Sequence, residues 1–142
     1  TLPAIISIYS DTSVELGFYF YLGFFLWIIG FLFETIADHQ KYLFKKNKLN
    51  KNKFISSGLW SISRHPNYFG EIILWLGIYI VSFPTLSGLQ HLAIISPLFV
   101  YILLTRISGI NLLEEIGDRR WGSNTEYKNY KKNTPILFPK LF

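Results

Sequence analysis

The sequence predicts an all-α fold, a multi-pass integral membrane bundle of helices with interfacial helices on its cytoplasmic face. Three observations carry that prediction. Half of the 142 residues are hydrophobic and 18% are aromatic, which is oilier than soluble domains of this size. The apolar residues gather in continuous runs, without the period-two alternation of a membrane β-barrel. The 14 Lys and Arg residues crowd at the ends of those runs. That is the positive-inside signature of membrane helices, and it replaces the nucleic-acid reading that a basic patch usually invites. The lipid bilayer is therefore the expected partner, and no nucleic acid is expected.

The elements follow in order. Val14–Phe33 (VELGFYFYLGFFLWIIGFLF) holds one charge, Glu15, near its start. At ~1.5 Å per residue it covers about 30 Å, enough to cross a bilayer. Its helical pattern runs on through ETIADHQKYLFKK. Asn47–Ser57 reads as a polar loop, with Gly58 supplying the turn after it. Tyr68–Phe83 is the second apolar stretch, interrupted by Glu71 and closed by Pro84. Leu92–Thr105 is the third and carries Pro97, which neighbouring helices can accommodate. Both are short for a full span, which predicts close packing, local thinning or partial re-entry. Beyond Arg106 the chain turns polar, with a helical pattern in NLLEEIGDRRW and a tail ending TPILFPKLF.

The domain reading is one membrane domain over residues 1–142. Residues 14–46 form a membrane helix with a cytoplasmic extension, residues 66–107 two membrane helices, and residues 108–142 a cytoplasmic-face tail. The sequence lacks methionine and starts at Thr1, so it reads as the C-terminal part of a longer protein. There is no cysteine, and His39, His65 and His91 stand in unrelated contexts, so no metal site is expected. Cation counting puts the Lys41–Arg64 region and the C-terminal tail on the cytoplasmic side, with Pro84–Gln90 opposite.

Three polar clusters fall on that cytoplasmic side. Glu34, Asp38, Lys41 and Lys45 share one helical stripe by their offsets of four, seven and eleven. The stripe fits either a solvated face of alternating charge or a pair of lysines holding a phosphate. The second cluster is GLWSISRHPNYFGE. Pro66 disfavours helix at His65 and suits the first helical position itself, so a helix begins there. Its free N–H groups, with Arg64 and His65 beside them, attract anions. Asn67 and Glu71 lie one turn apart, Glu71 one turn deeper. A carboxylate at membrane depth costs ~3 kcal/mol unless it is paired or wetted, which marks a ligand contact or an ion pair with a neighbouring helix. The third cluster holds Glu114, Glu115, Arg119, Arg120, Trp121, Tyr127 and Tyr130. By themselves these residues read as an interfacial aromatic belt.

RHPNYFGE, preceded by ADHQKYLFKKN and followed by LLEE, RRWG, YKNY and TP, resembles the C-terminal domain of the steroid 5-alpha-reductase-like family. That superfamily is also similar to the sterol C14-reductases and the isoprenylcysteine carboxyl methyltransferases. The resemblance covers roughly Glu34 to Pro139. Arg64, His65, Pro66, Tyr68 and Gly70 match both branches, whereas Asn67 and the acid after the glycine, Glu71, match the reductases. Gln40, Lys41, Phe44, Lys45 and Asn47 resemble a sterol-reductase signature.

The resemblance implies that Lys41 and Lys45 take the 2′-phosphate of NADPH, and that Arg64, His65 and Asn67 lie along its pyrophosphate and ribose. It places Glu71 near the nicotinamide end, counts Tyr68 among the cofactor-binding residues, and has Asp38, Glu114, Tyr127 and Tyr130 close the pocket. No catalytic proton donor is named by it. In sequence, the Gly122–Tyr127 spacing is longer than the sterol reductases suggest. No G-x-G-x-x-G follows a strand, so this is not a Rossmann site. The implied activity is an NADPH-dependent membrane reductase of an activated carbon–carbon double bond in a lipophilic, steroid-like small molecule. The alternatives are an S-adenosylmethionine-dependent methyltransferase of a membrane-embedded acceptor, or a non-catalytic scaffold.

Overall fold

The computed structural model describes residues 3–5, 17–107 and 109–140, and among them it is helical with no strand. The first three residues of the first apolar run, Glu15 among them, lie outside the described residues, as do Thr1 and the last two residues of the tail. Five α-helices follow: α1 (Phe18–Lys46), α2 (Pro66–Ser82), α3 (Ile95–Ile102), α4 (Ile110–Trp121) and α5 (Thr125–Asn133). Short 3-10 turns join them at Lys48–Asn50, Gly58–Ser61, Phe83–Thr85 and Gly88–Ile94, and a π-turn spans Leu103–Ile107. Three helical runs, Phe18–Lys46, Pro66–Thr85 and Gly88–Trp121, are long and apolar enough to cross a membrane. This is an all-α membrane helical bundle.

The second and third runs are longer than their apolar cores, which corrects the expectation of short spans. Pro66 and Asn67 extend α2 at its start and a 3-10 turn extends it to Thr85, giving 20 residues, or about 30 Å. The third run changes helix type along its length. Its 3-10 segment passes into α3 at Ile95, so Pro97 stands in the first turn of α3, where a missing N–H costs little.

Antiparallel packing of α1 on α2 makes the core of the bundle. Gly23 faces Gly77 and Val81, and Gly30 faces Gly70 and Leu74, so α2 descends as α1 rises. Two glycines seven residues apart on each helix let the backbones meet: a Cβ at Gly77 would come 2.6 Å from the Gly23 carbonyl oxygen. In a bilayer, where lipid tails are as apolar as leucine, such close approach replaces the hydrophobic effect as the associating force. Beside the glycine seam α1 carries an aromatic face, which meets α2 at Trp27. Phe20, Phe24, Trp27 and Phe31 stack in a ladder with 5.5–6.1 Å between ring centroids.

A polar cap covers the end of the bundle where α1 stops and α2 starts. Gly58 adopts φ +62° over the Gln40 amide, and the Leu59 N–H donates to Gln40 Oε1 at 2.9 Å. Trp60 Nε1 donates to the Ala37 carbonyl at 3.0 Å, and its side chain is buried. The C-terminal strap then lies along Ser61–His65: Arg64 N–H donates to Pro135 O, Ser63 Oγ to Leu137 O, and Lys140 N–H to Ile62 O, at 2.8–3.0 Å.

Candidate functional site: a cationic, aromatic-walled cavity in the polar cap

Arg64 and His65 stand at the mouth of α2, and their position follows from local chemistry. His65 takes the N-cap place with non-helical backbone (φ −135°, ψ 62°), and Pro66 begins the helix. Ser63 Oγ accepts the His65 N–H at 3.2 Å while donating to the strap, and the strap accepts the Arg64 N–H, so the dipeptide's backbone is fixed before its own side chains are counted. Both side chains then turn to Glu114 of α4. Arg64 Nη1 pairs with Glu114 Oε2, and His65 Nε2 lies 2.9 Å from Glu114 Oε1. Lys131 of α5 adds a second cation beside Arg64, 3.2 Å from Glu114 and 2.6 Å from Asp118. With Arg64 9% exposed and His65 7%, this is a buried ion cluster, whose members depend on one another because each alone would be an uncompensated charge.

A cavity of about 220 Å³ opens beside that cluster. Lys41 and Lys45 of α1 line it together with Arg64, His65, Glu114, Tyr127 and Tyr130. Aromatic rings make its walls. Phe54 packs on Trp121, Tyr127 and Tyr130 with centroids 5.1–6.0 Å apart. The Lys41 ammonium sits 4.9 Å above the Trp60 ring, a cation–π contact. Arg64 Nε is buried with no hydrogen-bond partner among the described residues. A buried guanidinium N–H in that state is uncommon, and a water or a ligand atom can supply its acceptor. Cations for anionic groups and flat rings for a planar one are what the cavity offers.

The tyrosines are walls and props. Tyr130 donates its hydroxyl to Trp60 O at 2.6 Å, and burial pushes its ionisation above the ordinary phenol range. Burial also raises Tyr127, with the Glu114 charge adding to it. Both are neutral hydrogen-bonding groups at physiological pH. Burial works against the Lys131 charge, but its hydrogen bonds to Asp118 and Glu114 outweigh that and hold it above the usual lysine value. The interfacial belt suggested by the aromatic residues alone is thus corrected: Tyr127 is 6% exposed and faces the cavity, because α5 folds back under α4 and Gly117 leaves room for its hydroxyl.

A separate acidic group lies at the start of α2, away from that cavity. Glu34 and Asp38 of α1 and Glu71 of α2 are near enough to feel one another's charge, and Tyr68 sits among them. Among the described residues Glu71 forms no ion pair within 4.0 Å, whereas Glu114 pairs with both Arg64 and Lys131. His65 joins the two groups by stacking on Tyr68, centroids 5.6 Å apart.

The family model for DUF1295, described as a protein of unknown function, matches residues 1–134. The chain belongs to the DUF1295 family. This family is steroid 5-alpha-reductase-like, and the chain is similar to named reductases. It is 30% identical to a probable 7-dehydrocholesterol reductase of Acanthamoeba polyphaga mimivirus, over 97% of this chain and 32% of that protein. It is 28% identical to 3-oxo-5-alpha-steroid 4-dehydrogenase 1 of Rattus norvegicus, over 84% of this chain and 41% of that one. A probable O-methyltransferase of Ustilaginoidea virens is 34% identical over 51% of this chain and 25% of its own length. The chain therefore spans well under half the length of these curated relatives. No solved structure shows a significant match.

In this DUF1295 chain the residues singled out from sequence divide into two sets. Lys41, Lys45, Arg64, His65, Glu114, Tyr127 and Tyr130 share one cavity. Asp38, Asn67, Tyr68 and Glu71 are not among its lining residues, and of these Asp38, Tyr68 and Glu71 belong to the acidic group. The long Gly122–Tyr127 spacing is absorbed by a helix cap: Asn124 N–H donates to Trp121 O, and the Asn124 side chain accepts from Glu126 and Tyr127 N–H. Sequence reasoning missed Phe54, Trp60 and Lys131. Phe54 and Lys53 sit in a loop without periodicity, though an aromatic residue beside a lysine in an otherwise polar stretch was a usable signal.

Proposed function

We propose that this chain is the cofactor-holding membrane domain of an NADPH-dependent reductase, acting on an activated carbon–carbon double bond in a lipophilic, steroid-like substrate. The reading rests on one observation above the rest: Lys41, Lys45 and Arg64 converge in one aromatic-walled cavity where a buried Arg64 N–H lacks an acceptor. Phosphates suit those cations and a nucleobase suits those rings, so the residues present fit a dinucleotide phosphate. The reductase names of the relatives point the same way.

When bound, NADPH supplies a hydride to the β-carbon of the double bond. The residues of this chain bind and orient. Lys41 and Lys45 hold the 2′-phosphate, and Arg64, His65 and Asn67 hold the pyrophosphate and ribose. Glu71, with Tyr68 and Asp38, accepts hydrogen bonds toward the nicotinamide end. Glu114 keeps Arg64 and His65 aimed, and Tyr127 and Tyr130 close the wall and exclude water. The acid that protonates the substrate is not assigned to a residue of this chain. The cofactor side is cytoplasmic, because the cations cluster there.

One observation favours a second reading, S-adenosylmethionine-dependent methyl transfer to a membrane-embedded acceptor: the 34% identity to an O-methyltransferase over half of this chain. A single experiment separates the two. The full-length protein, in sealed vesicles, is offered NADPH, NADH and S-adenosylmethionine with a steroid enone. Micromolar NADPH binding, about −8 kcal/mol, weak S-adenosylmethionine binding and consumption of NADPH from the cytoplasmic side alone are expected. Changing Lys41 and Lys45 together to alanine should weaken NADPH about a hundredfold or more and NADH far less, since each charge-assisted contact contributes ~1.5–3 kcal/mol. Glu71→Gln should slow hydride transfer with the fold intact. Tight S-adenosylmethionine binding without an NADPH signal would replace the reductase by the methyltransferase, and binding of neither would leave a scaffold.

A further inference from the structure

A second cavity of about 560 Å³ adjoins the first at the outer rim of the cap and shares Phe44, Lys45, Lys53, Arg120 and Trp121 with it. Four cations line it: Lys45 at the end of α1, Lys51 and Lys53 in the loop, and Arg120 at the end of α4. No acidic side chain lines it. Among the described residues none of these four enters an ion pair within 4.0 Å, whereas Arg64, Arg119 and Lys131 all do. Helix C-termini favour cations and so account for Lys45 and Arg120. That reason does not reach Lys51 and Lys53.

The loop is held where it is by specific bonds. Asn50 Nδ2 donates to Phe44 O at 3.0 Å, which folds the loop back on α1. Trp121 Nε1 donates to Asn52 O at 2.6 Å, which ties it to α4, and Asn52 takes the left-handed φ of 65° to allow this. Two segments about seventy residues apart are thereby latched so that their cations face one space. Water screens like charges at such a surface but leaves a field that concentrates anions.

We propose that this outer cavity binds a phosphate group, with Lys51, Lys53 and Arg120 as its ligands beside Lys45. Its place at the rim allows two sources: a nucleotide phosphate entering from the inner cavity, or the headgroup of a phosphoinositide in the adjoining leaflet. The site itself does not rest on the reductase reading, and only its nucleotide source does.

The test uses the full-length protein in nanodiscs of phosphatidylcholine, alone or doped with phosphatidylinositol 4-phosphate. The variant Lys51→Gln changes the one cation that lines the outer cavity and not the inner, and Lys51→Arg is its charge-keeping control. Binding of adenosine 2′,5′-bisphosphate is measured by calorimetry, and retained phosphoinositide by native mass spectrometry. With a nucleotide source, the glutamine variant weakens the bisphosphate by about tenfold and the control restores it. With a lipid source, the glutamine variant loses the phosphoinositide and leaves the bisphosphate unchanged. Wild-type levels of both in the glutamine variant overturn the proposal, even where NADPH binds as the reductase reading requires. Loss of phosphoinositide in a protein that binds no nucleotide supports the outer site and counts against the reductase.

Discussion

The buried stretch of α1 against α2 and the polar cap above it are held by opposite means. Inside the bundle, Gly23, Gly30, Gly70 and Gly77 bring two backbones into contact, and shape alone decides the fit. In the cap, segments 49 to 74 residues apart are joined by directed polar bonds: Arg64 and His65 to Glu114, Trp60 to Tyr130, Ser63 to Leu137. The difference teaches where specificity comes from in a membrane chain. Lipid cannot reward apolar burial, so the bundle relies on close packing. The cap lies where water competes for every polar group, so it relies on burying bonds that water can no longer reach.

The largest effect should come from the cap. Glu114→Ala leaves Arg64 and His65 buried without their shared partner, and losing one member of such a cluster costs about 3–5 kcal/mol. Unfolding of the purified protein in detergent, followed by tryptophan fluorescence, should show that loss. A change under about 1 kcal/mol would mean that water already reaches the cluster.

A smaller effect is expected in the bundle. A Cβ at Gly70 would lie 2.5 Å from the Glu34 nitrogen and 2.6 Å from the Gly30 carbonyl oxygen. Both are backbone atoms that cannot swing aside, so Gly70→Ala should cost about 1–3 kcal/mol. The same measurement reads it, and an unchanged midpoint would show that α1 and α2 stand further apart.

The smallest effect is a pH dependence confined to the cap. Tyr127 and Tyr130 titrate above the ordinary phenol value of 10.0 because burial disfavours the phenolate. Lys131 titrates above 10.5, its hydrogen bonds to Asp118 and Glu114 outweighing burial. All three folded values exceed the unfolded ones. Their contribution is therefore complete below about pH 10 and is lost as pH rises through the folded values. Between pH 7 and 9 these groups should leave stability flat, with a decline on the alkaline side only. Asp118→Ala should remove the larger part of the Lys131 share of that decline, and Glu114→Ala the smaller part.

The charged stripe of α1 shows how far the sequence could be read. Glu34, Asp38, Lys41 and Lys45 do share a face, as their spacing says, but eleven residues extend over about 16 Å. One pocket does not span that length, so the two lysines join the cavity and the two acids join Glu71. The role of Glu114 was even less legible. Sequence placed it in the pocket wall, and only the fold made it the tie between Arg64, His65 and Lys131.

By itself the sequence determined the local things: the end of α1 beyond its apolar run, the start of α2 at Pro66, and the membrane class. Each rests on periodicity or on backbone chemistry within a few residues, which are properties of a short segment. Tertiary structure alone decided which cations stay free and which are neutralised, and which aromatic rings wall a cavity. Those outcomes depend on contacts between distant segments, and no pattern along one segment records its partner.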